Sequence, residues 1–327
     1  MKWQTMIISG VLAIGATFPS LAVQNGEALD WSKHDNTVLI NGCTGTLIGG
    51  QYVLTAAHCQ DGDFAWVETV MQGFQNEMVE NTFVHPEYQG AKVNGDVAFA
   101  KLNKPLDHQR IQFFRDLRQP LIFSDGDLIT FDGFGGTGSE LNRATFELYH
   151  DVVGWEHLVY ARQVNSSRII GGDSGSAWID ELGQIFAISR AESSNMDIDG
   201  TNLHYASDFI LETINGWHYP TVAKINGQSV IEVQSLHVNG AGAGAYTEGD
   251  ATIVEQSCNG AVEAYQRCTY TVESNGGSGK FVLSGGEVVN INPASVEPTN
   301  PASSSSSGGS LGFLALLALV GVGLRRR

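Results

Sequence analysis

Three separate segments of the chain each present one reactive side chain in an otherwise apolar or glycine-rich setting. They are TAAHC (Thr55 to Cys59), NGDVAFAKL (Asn94 to Leu102) and GGDSGS (Gly171 to Ser176). The reactive groups are His58, Asp96 and Ser174, met in that order along the chain. A serine hydroxyl is a poor nucleophile at neutral pH, so an imidazole must take its proton. A carboxylate must in turn hold that imidazole in one tautomer and stabilise the imidazolium. Singly, each segment has a plainer explanation: a packed histidine, a turn, an alternating strand. Together and in order, they form a catalytic triad drawn from three remote parts of the chain. The serine elbow of the doubly wound hydrolases is excluded on the letters. That elbow needs G-x-S-x-G, and here Ser174 is flanked at those positions by Gly172 and Ser176.

Over roughly residues 23–218 the chain resembles the trypsin/chymotrypsin-like serine proteases. GTLIGGQYVLTAAHC (Gly45 to Cys59) is similar to that family's strand leading into the histidine turn, and VHPEY (Val84 to Tyr88) to its next strand. GFGGTG (Gly133 to Gly138) is similar to the segment that opens its second barrel. The resemblance implies two antiparallel β-barrels with the triad in the crevice between them, and peptide-bond hydrolysis through an acyl-enzyme. The short strands and Gly-rich turns agree with an all-β fold. It further implies that the backbone N–H groups of Gly172 and Ser174 bind the oxyanion, and that Ser189-Arg190-Ala191 lies along the substrate backbone. In tryptic members an Asp lines the pocket floor six residues before the nucleophile; here that position is Arg168. Two expectations follow: a preference for an acidic residue before the cut, or a re-registered loop with Arg168 turned to solvent.

Both ends of the chain carry addresses. Residues 1–22 have the form of a signal peptide: Lys2, a short apolar stretch from Met6 to Thr17, and Ser20-Leu21-Ala22 before the cut. Cleavage there leaves Val23 at the N-terminus. In the resembled family such a freed apolar residue folds inward, and its ammonium pairs with the Asp before the nucleophile, here Asp173. Signal peptidase would then make the activating cut. Residues 295–310 form a Ser/Gly/Pro linker, too polar to pack. In 311–327 an apolar run, Leu311 to Leu324, ends in Arg325-Arg326-Arg327. The run is shorter than the roughly 20 residues of a comfortable span, and the arginines can anchor it from the cytoplasmic side. This tail resembles the GlyGly-CTERM sorting signal of Gram-negative secreted proteins. That resemblance implies transient inner-membrane anchoring, a cut near Gly308-Gly309 by a rhomboid-like sortase, and export by type II secretion machinery to the surface or the medium.

The formal net charge of −17, from 35 acidic and 18 basic residues, argues against nucleic acid, whose phosphates need a basic patch. It suits solubility outside the cell. Four cysteines in an exported chain are expected to form two disulfides, with three connectivities open. Spacing and the family resemblance favour Cys43–Cys59, beside His58, and Cys258–Cys268. No cofactor is expected. Asp197-Ile198-Asp199-Gly200 begins like a calcium loop, but its glycine comes too early, and the histidines show no metal-binding spacing.

The protease-like part is expected to span 23–219 and to end in a helix from Ser207 to Trp217, with Phe209, Ile210, Ile214 and Trp217 at near-helical spacing. Residues 220–294 alternate apolar and polar positions between Gly-rich turns. They are expected to form a small β-sandwich, of which an immunoglobulin-like arrangement is one form, acting as a spacer or a weak binder. The competing functional class is a catalytically silent, protease-like binding or adhesion protein at the cell surface.

Overall fold

A computed structural model describes residues 23–294, apart from 61–63, 70–74, 91–93, 137–139, 151–155 and 193–195. The expected signal peptide, linker and apolar tail lie outside the described residues. Among the described residues no helix is long and apolar enough to cross a membrane.

A short strand, β1 (Glu27–Leu29), precedes the first barrel. The barrel consists of β2 (Thr37–Ile40), β3 (Cys43–Ile48), β4 (Tyr52–Thr55), β5 (Trp66–Thr69), β6 (Gln75–Val84) and β7 (Ala98–Leu102). It closes in the order β2-β3-β4-β7-β6-β5. Alternation along β2 shows how period-2 side chains are spent. Val38 and Ile40 point into the barrel core with Leu47, Val53, Leu54, Val67 and Phe99. Leu39, between them, turns outward into a separate cluster with Trp31, Phe134 and Leu141. Phe134 and Leu141 belong to the second half of the chain, so this outer face is a seam between the two barrels.

The second barrel contains β8 (Leu128–Gly133), β9 (Leu141–Tyr149), β10 (Leu158–Gln163), β11 (Ala177–Ile179), β12 (Ile185–Glu192) and β13 (Ile198–Asn202). Its ring runs β8-β9-β10-β13-β12-β11 and closes by Ile179 pairing with Thr130, while β1 adds to the side of β9. Phe131 stacks between Phe146 and Trp178 at 5.6 and 6.4 Å in its core. The two antiparallel barrels are as expected. The helix differs: α1 (Ser207–Ile214) stops at Asn215, which takes a left-handed cap with φ 39°. Trp217, expected on the helix, begins a strand instead.

That strand, β14 (Trp217–His218), opens the C-terminal sandwich. It is followed by β15 (Val222–Ala223), β16 (Gly227–Ser235), β17 (Ala241–Gly242), β18 (Tyr246–Gly249), β19 (Thr252–Gln256), β20 (Ala261–Val262), β21 (Arg267–Ser274), β22 (Gly279–Val282) and β23 (Val288–Ile291). One sheet runs β14-β16-β21-β19 and the other β15-β23-β22-β18, with Tyr270, Phe281, Val233 and Val289 packed in the core.

The sandwich is joined to the barrels by buried polar groups as well as by apolar contact. Leu236, Ala264 and Tyr265 belong to the same apolar cluster as the first barrel and α1. The Gln234 amide donates to the carbonyls of Phe114 (2.7 Å) and Tyr265 (2.9 Å), and its oxygen accepts the Phe114 N–H (3.0 Å). His218 Nδ1 accepts the Gly49 N–H at 3.0 Å and its Nε2 donates to the Gln112 carbonyl at 2.9 Å. An imidazole that accepts on one nitrogen and donates from the other must be neutral, and burial pushes the His218 pKa down to about 3.

Because the folded state refuses this proton, His218 contributes stability that is complete above the ordinary histidine pKa of about 6.5 and is lost as the pH falls toward 3. The loss amounts to about 1.4 kcal/mol per pH unit. Urea unfolding between pH 7 and 4 should therefore show a shallower pH dependence for His218→Gln than for the parent, whatever the variant's stability at pH 7.

Candidate active site

The site is assembled where the seam between the barrels meets the loop joining β10 to β11. Asp96 lies just before β7. Its carboxylate takes two bonds from one residue: Oδ1 accepts the His58 backbone N–H at 2.9 Å, and Oδ2 meets His58 Nδ1 at 2.8 Å. This grip fixes the ring orientation and places the proton on Nδ1, leaving Nε2 as the free base. The Asp96 side chain is 4% exposed and that of His58 34%, so the carboxylate is sheltered while the ring faces solvent. His58 sits in a single 3-10 turn, Ala57–Cys59, directly after β4. The Cys43–Cys59 disulfide, one of the two expected pairs, ties that turn to the start of β3; Cys258–Cys268 is the other. The sulfurs of Cys43 and Cys59 lie within 4.8 Å of the His58 ring nitrogen, but as a disulfide they offer no thiolate to a metal.

The Ser174 loop is held from both barrels. Ser174 O accepts the Thr44 N–H at 3.0 Å, and Gly172 O accepts the Thr44 hydroxyl at 2.8 Å. Gly175 N–H donates to Ser189 O at 2.8 Å. Gly172 (φ +110°) and Gly175 (φ +83°) adopt backbone conformations that disfavour any side chain. A Cβ on Gly175 would also overlap Thr44 O and lie 2.8 Å from the Ala56 nitrogen. This close approach sets the serine loop beside the strand end that carries His58.

Asp173 points away from the cleft into a pocket made by glycines. Its oxygens accept the N–H groups of Gly135 (2.8 Å) and Ile170 (2.9 Å), and burial raises its pKa to about 6. No cation is among the groups that shift it. Val23 is fully buried in the core of the second barrel, with Phe131, Phe146 and Ile169.

The residues expected to face substrate are engaged by other groups of the protein. Arg168 is 38% exposed and its guanidinium lies 3.1 Å from Glu192, so its charge is already matched near the surface. Ser189 is buried, and its backbone groups are engaged by Gly175 and Ser176, while its hydroxyl accepts the Trp178 indole N–H at 2.8 Å. A register shift in β12 between Ser189 and Ala191 carries Ala191 on to pair with Asp199. Arg190, at the bulge, was expected along the substrate backbone, and its pairing with carboxylates is what sequence reasoning missed. Its Nη1 meets Asp199 at 2.8 Å and its Nε lies 3.9 Å from Asp96. Burial raises the Asp199 pKa and Arg190 opposes the rise. Asp199, read in sequence as part of a possible calcium loop, thus serves as the partner of this guanidinium.

Two antiparallel barrels with a histidine–aspartate pair and a glycine-framed serine at their seam define the architecture of the chymotrypsin-type serine hydrolases. The chain belongs to the trypsin family: the family model described as Trypsin matches residues 24–207, more than half of the chain. The serine protease filzig of Drosophila melanogaster is 31% identical over 137 residues, covering 38% of this chain and 7% of that protein. The chain therefore spans only a small part of that relative. Among solved structures, human heparin binding protein matches with a TM-score of 0.51 at 16% identity, over 58% of this chain and 95% of that one, which shows a shared fold. The secreted serine protease VesC from Vibrio cholerae covers 82% of this chain and 71% of its own at 17% identity, with a TM-score of 0.49.

Replacing Cys43 and Cys59 with serine should lower stability by about 3 kcal/mol, the entropy of a loop of about 15 residues. It should also reduce activity per folded molecule, because the histidine turn loses its tether. Replacing Cys258 and Cys268 should lower stability without that second effect. Urea unfolding paired with activity at matched folded fraction separates the two.

Proposed function

We propose that this chain is an exported serine endopeptidase. Ser174 Oγ attacks the peptide carbonyl while His58 Nε2 takes its proton, and Asp96 holds the imidazolium that forms. The Gly172 and Ser174 N–H groups receive the oxyanion. His58 then returns the proton to the leaving amine, and water releases the acyl group by the same steps in reverse order. The observation that carries this reading is the pair of hydrogen bonds that one sheltered carboxylate accepts from the backbone and the ring of His58. Its support is the neighbouring serine loop, shaped by two positive-φ glycines.

Processing belongs to the same proposal. Signal peptidase frees Val23, whose ammonium supplies the counter-charge that the buried Asp173 lacks in the uncut chain. A rhomboid-like sortase and type II machinery handle the tail, and the mature enzyme reaches the cell surface or the medium. Protein and peptide chains are the substrates. Because Arg168 and Arg190 are both paired with carboxylates, no unmatched cation is left at these positions to select an acidic residue before the cut.

The test is digestion of a randomised peptide library by secreted protein whose N-terminus has been sequenced. Cleavage should require Ser174, and Asp96→Asn should lower turnover by about 10⁴, the loss this substitution brings in chymotrypsin-type enzymes. Substrates with Asp or Glu before the bond should be cut no faster than those with Leu or Ala. No cleavage by protein beginning at Val23, and no labelling by a serine-directed phosphonate, would favour the silent binding protein instead.

A further inference from the structure

Thr44 makes four hydrogen bonds around the serine loop. Its N–H donates to Ser174 O (3.0 Å) and its hydroxyl to Gly172 O (2.8 Å). The same hydroxyl oxygen accepts the Phe134 N–H at 3.1 Å, and the Thr44 carbonyl accepts the Thr55 hydroxyl at 2.9 Å. The side chain is fully buried. One residue of the first barrel therefore joins the end of the histidine strand, the segment that follows β8 in the second barrel, and the carbonyls of Gly172 and Ser174. Those are the two residues whose N–H groups face the oxyanion in the proposed mechanism.

The need for such a clamp follows from the loop's composition. Gly171-Gly172 is the least restrained kind of dipeptide, and an oxyanion donor is useful only when its direction is set before charge develops. The carbonyls that share a peptide with the two oxyanion N–H groups, those of Gly171 and Asp173, are held by the second barrel and from within the loop. Gly171 O accepts the Gly136 N–H at 3.0 Å, and Asp173 O accepts the Ser176 N–H at 3.1 Å. The Gly172 carbonyl is the one held by a side chain of the opposite barrel.

We propose that the Thr44 hydroxyl is a positioning group that locks the Gly172–Asp173 peptide, the unit linking the two peptides that carry the oxyanion N–H groups, and thereby sets the angle between those donors, separately from any charge supplied to Asp173. This rests on the reading of Ser174 as nucleophile.

The test compares Thr44→Val, which keeps the shape and removes the hydroxyl, with Thr44→Ser, which keeps the hydroxyl and removes the methyl. Thr44→Val should lower kcat by about 10- to 100-fold with KM changed less than about threefold, and Thr44→Ser should stay within about threefold of the parent in both. Both variants lose buried contacts, so a merely structural role would lower their urea midpoints without separating their kcat values. Amide hydrogen exchange over 170–176 reads the same lock without turnover. It should quicken at least about tenfold in Thr44→Val and not in Thr44→Ser, with Thr44→Ala standing in if the valine variant does not fold. Parental kcat in Thr44→Val, equal kcat losses in the two variants, or parental exchange without the hydroxyl would each overturn the proposal. An inactive parent would instead overturn the endopeptidase reading, and the exchange measurement would still decide the role of Thr44.

Discussion

The loop from Ile170 to Ser176 threads between two closed barrels at distances that leave no room for side chains at several of its positions. A Cβ on Gly172 would come within 2.9 Å of the Gly135 Cα, and one on Gly133 or Gly135 would overlap the Asp173 carboxylate. Glycine at these points lets Asp173 turn inward, away from the cleft, while Ser174 stays at the seam. Inward burial of the carboxylate costs solvation, which appears as its raised pKa, and two backbone N–H donors offset part of that cost. The conformation that presents the serine is thus coupled to a buried acid one residue away. The first barrel holds the serine loop through Thr44, and the second holds the acid through Gly135.

The C-terminal sandwich bears on the same seam from behind. Its expected role was a spacer, yet Gln234, His218 and Tyr265 place buried hydrogen bonds into the barrel unit, including a pair at 3.0 Å between Tyr265 and Ser207 at the start of α1. Buried polar groups of this kind are costly if unpaired and specific when paired. The sandwich therefore completes the barrel fold by covering Phe114 and α1, whose apolar faces pack toward Leu236, Ala264 and Tyr265.

Charge pairing explains why the residues expected to face substrate were the least legible part of the chain. Arg168 reads in sequence as a candidate pocket cation and Arg190 as part of a segment along the substrate backbone, because sequence shows charge without partners. Their partners, Glu192 and Asp199, come from strand ends whose alignment depends on the register shift in β12. A shift of one residue in a strand exchanges its two faces, so the neighbours that Arg190 meets follow from the bulge. The helix illustrates the same limit on a smaller scale. Apolar spacing ran smoothly from Phe209 to Trp217, but the left-handed cap at Asn215 and the pairing of Trp217 with Ser235 ended it early.

What the sequence determined by itself were the features written in local chemistry: the segments around His58, Asp96 and Ser174, the short strands and Gly-rich turns of an all-β chain, and the four cysteines available for two disulfides. Each is legible because a side-chain type and its immediate neighbours specify it. Tertiary structure alone decided the grip of Asp96 on the backbone N–H and the Nδ1 of His58, the clamp at Thr44, the Arg190–Asp199 pair and the docking of the sandwich. These join residues far apart in the chain, whose meeting depends on strand register and barrel closure, and no local pattern encodes a distance.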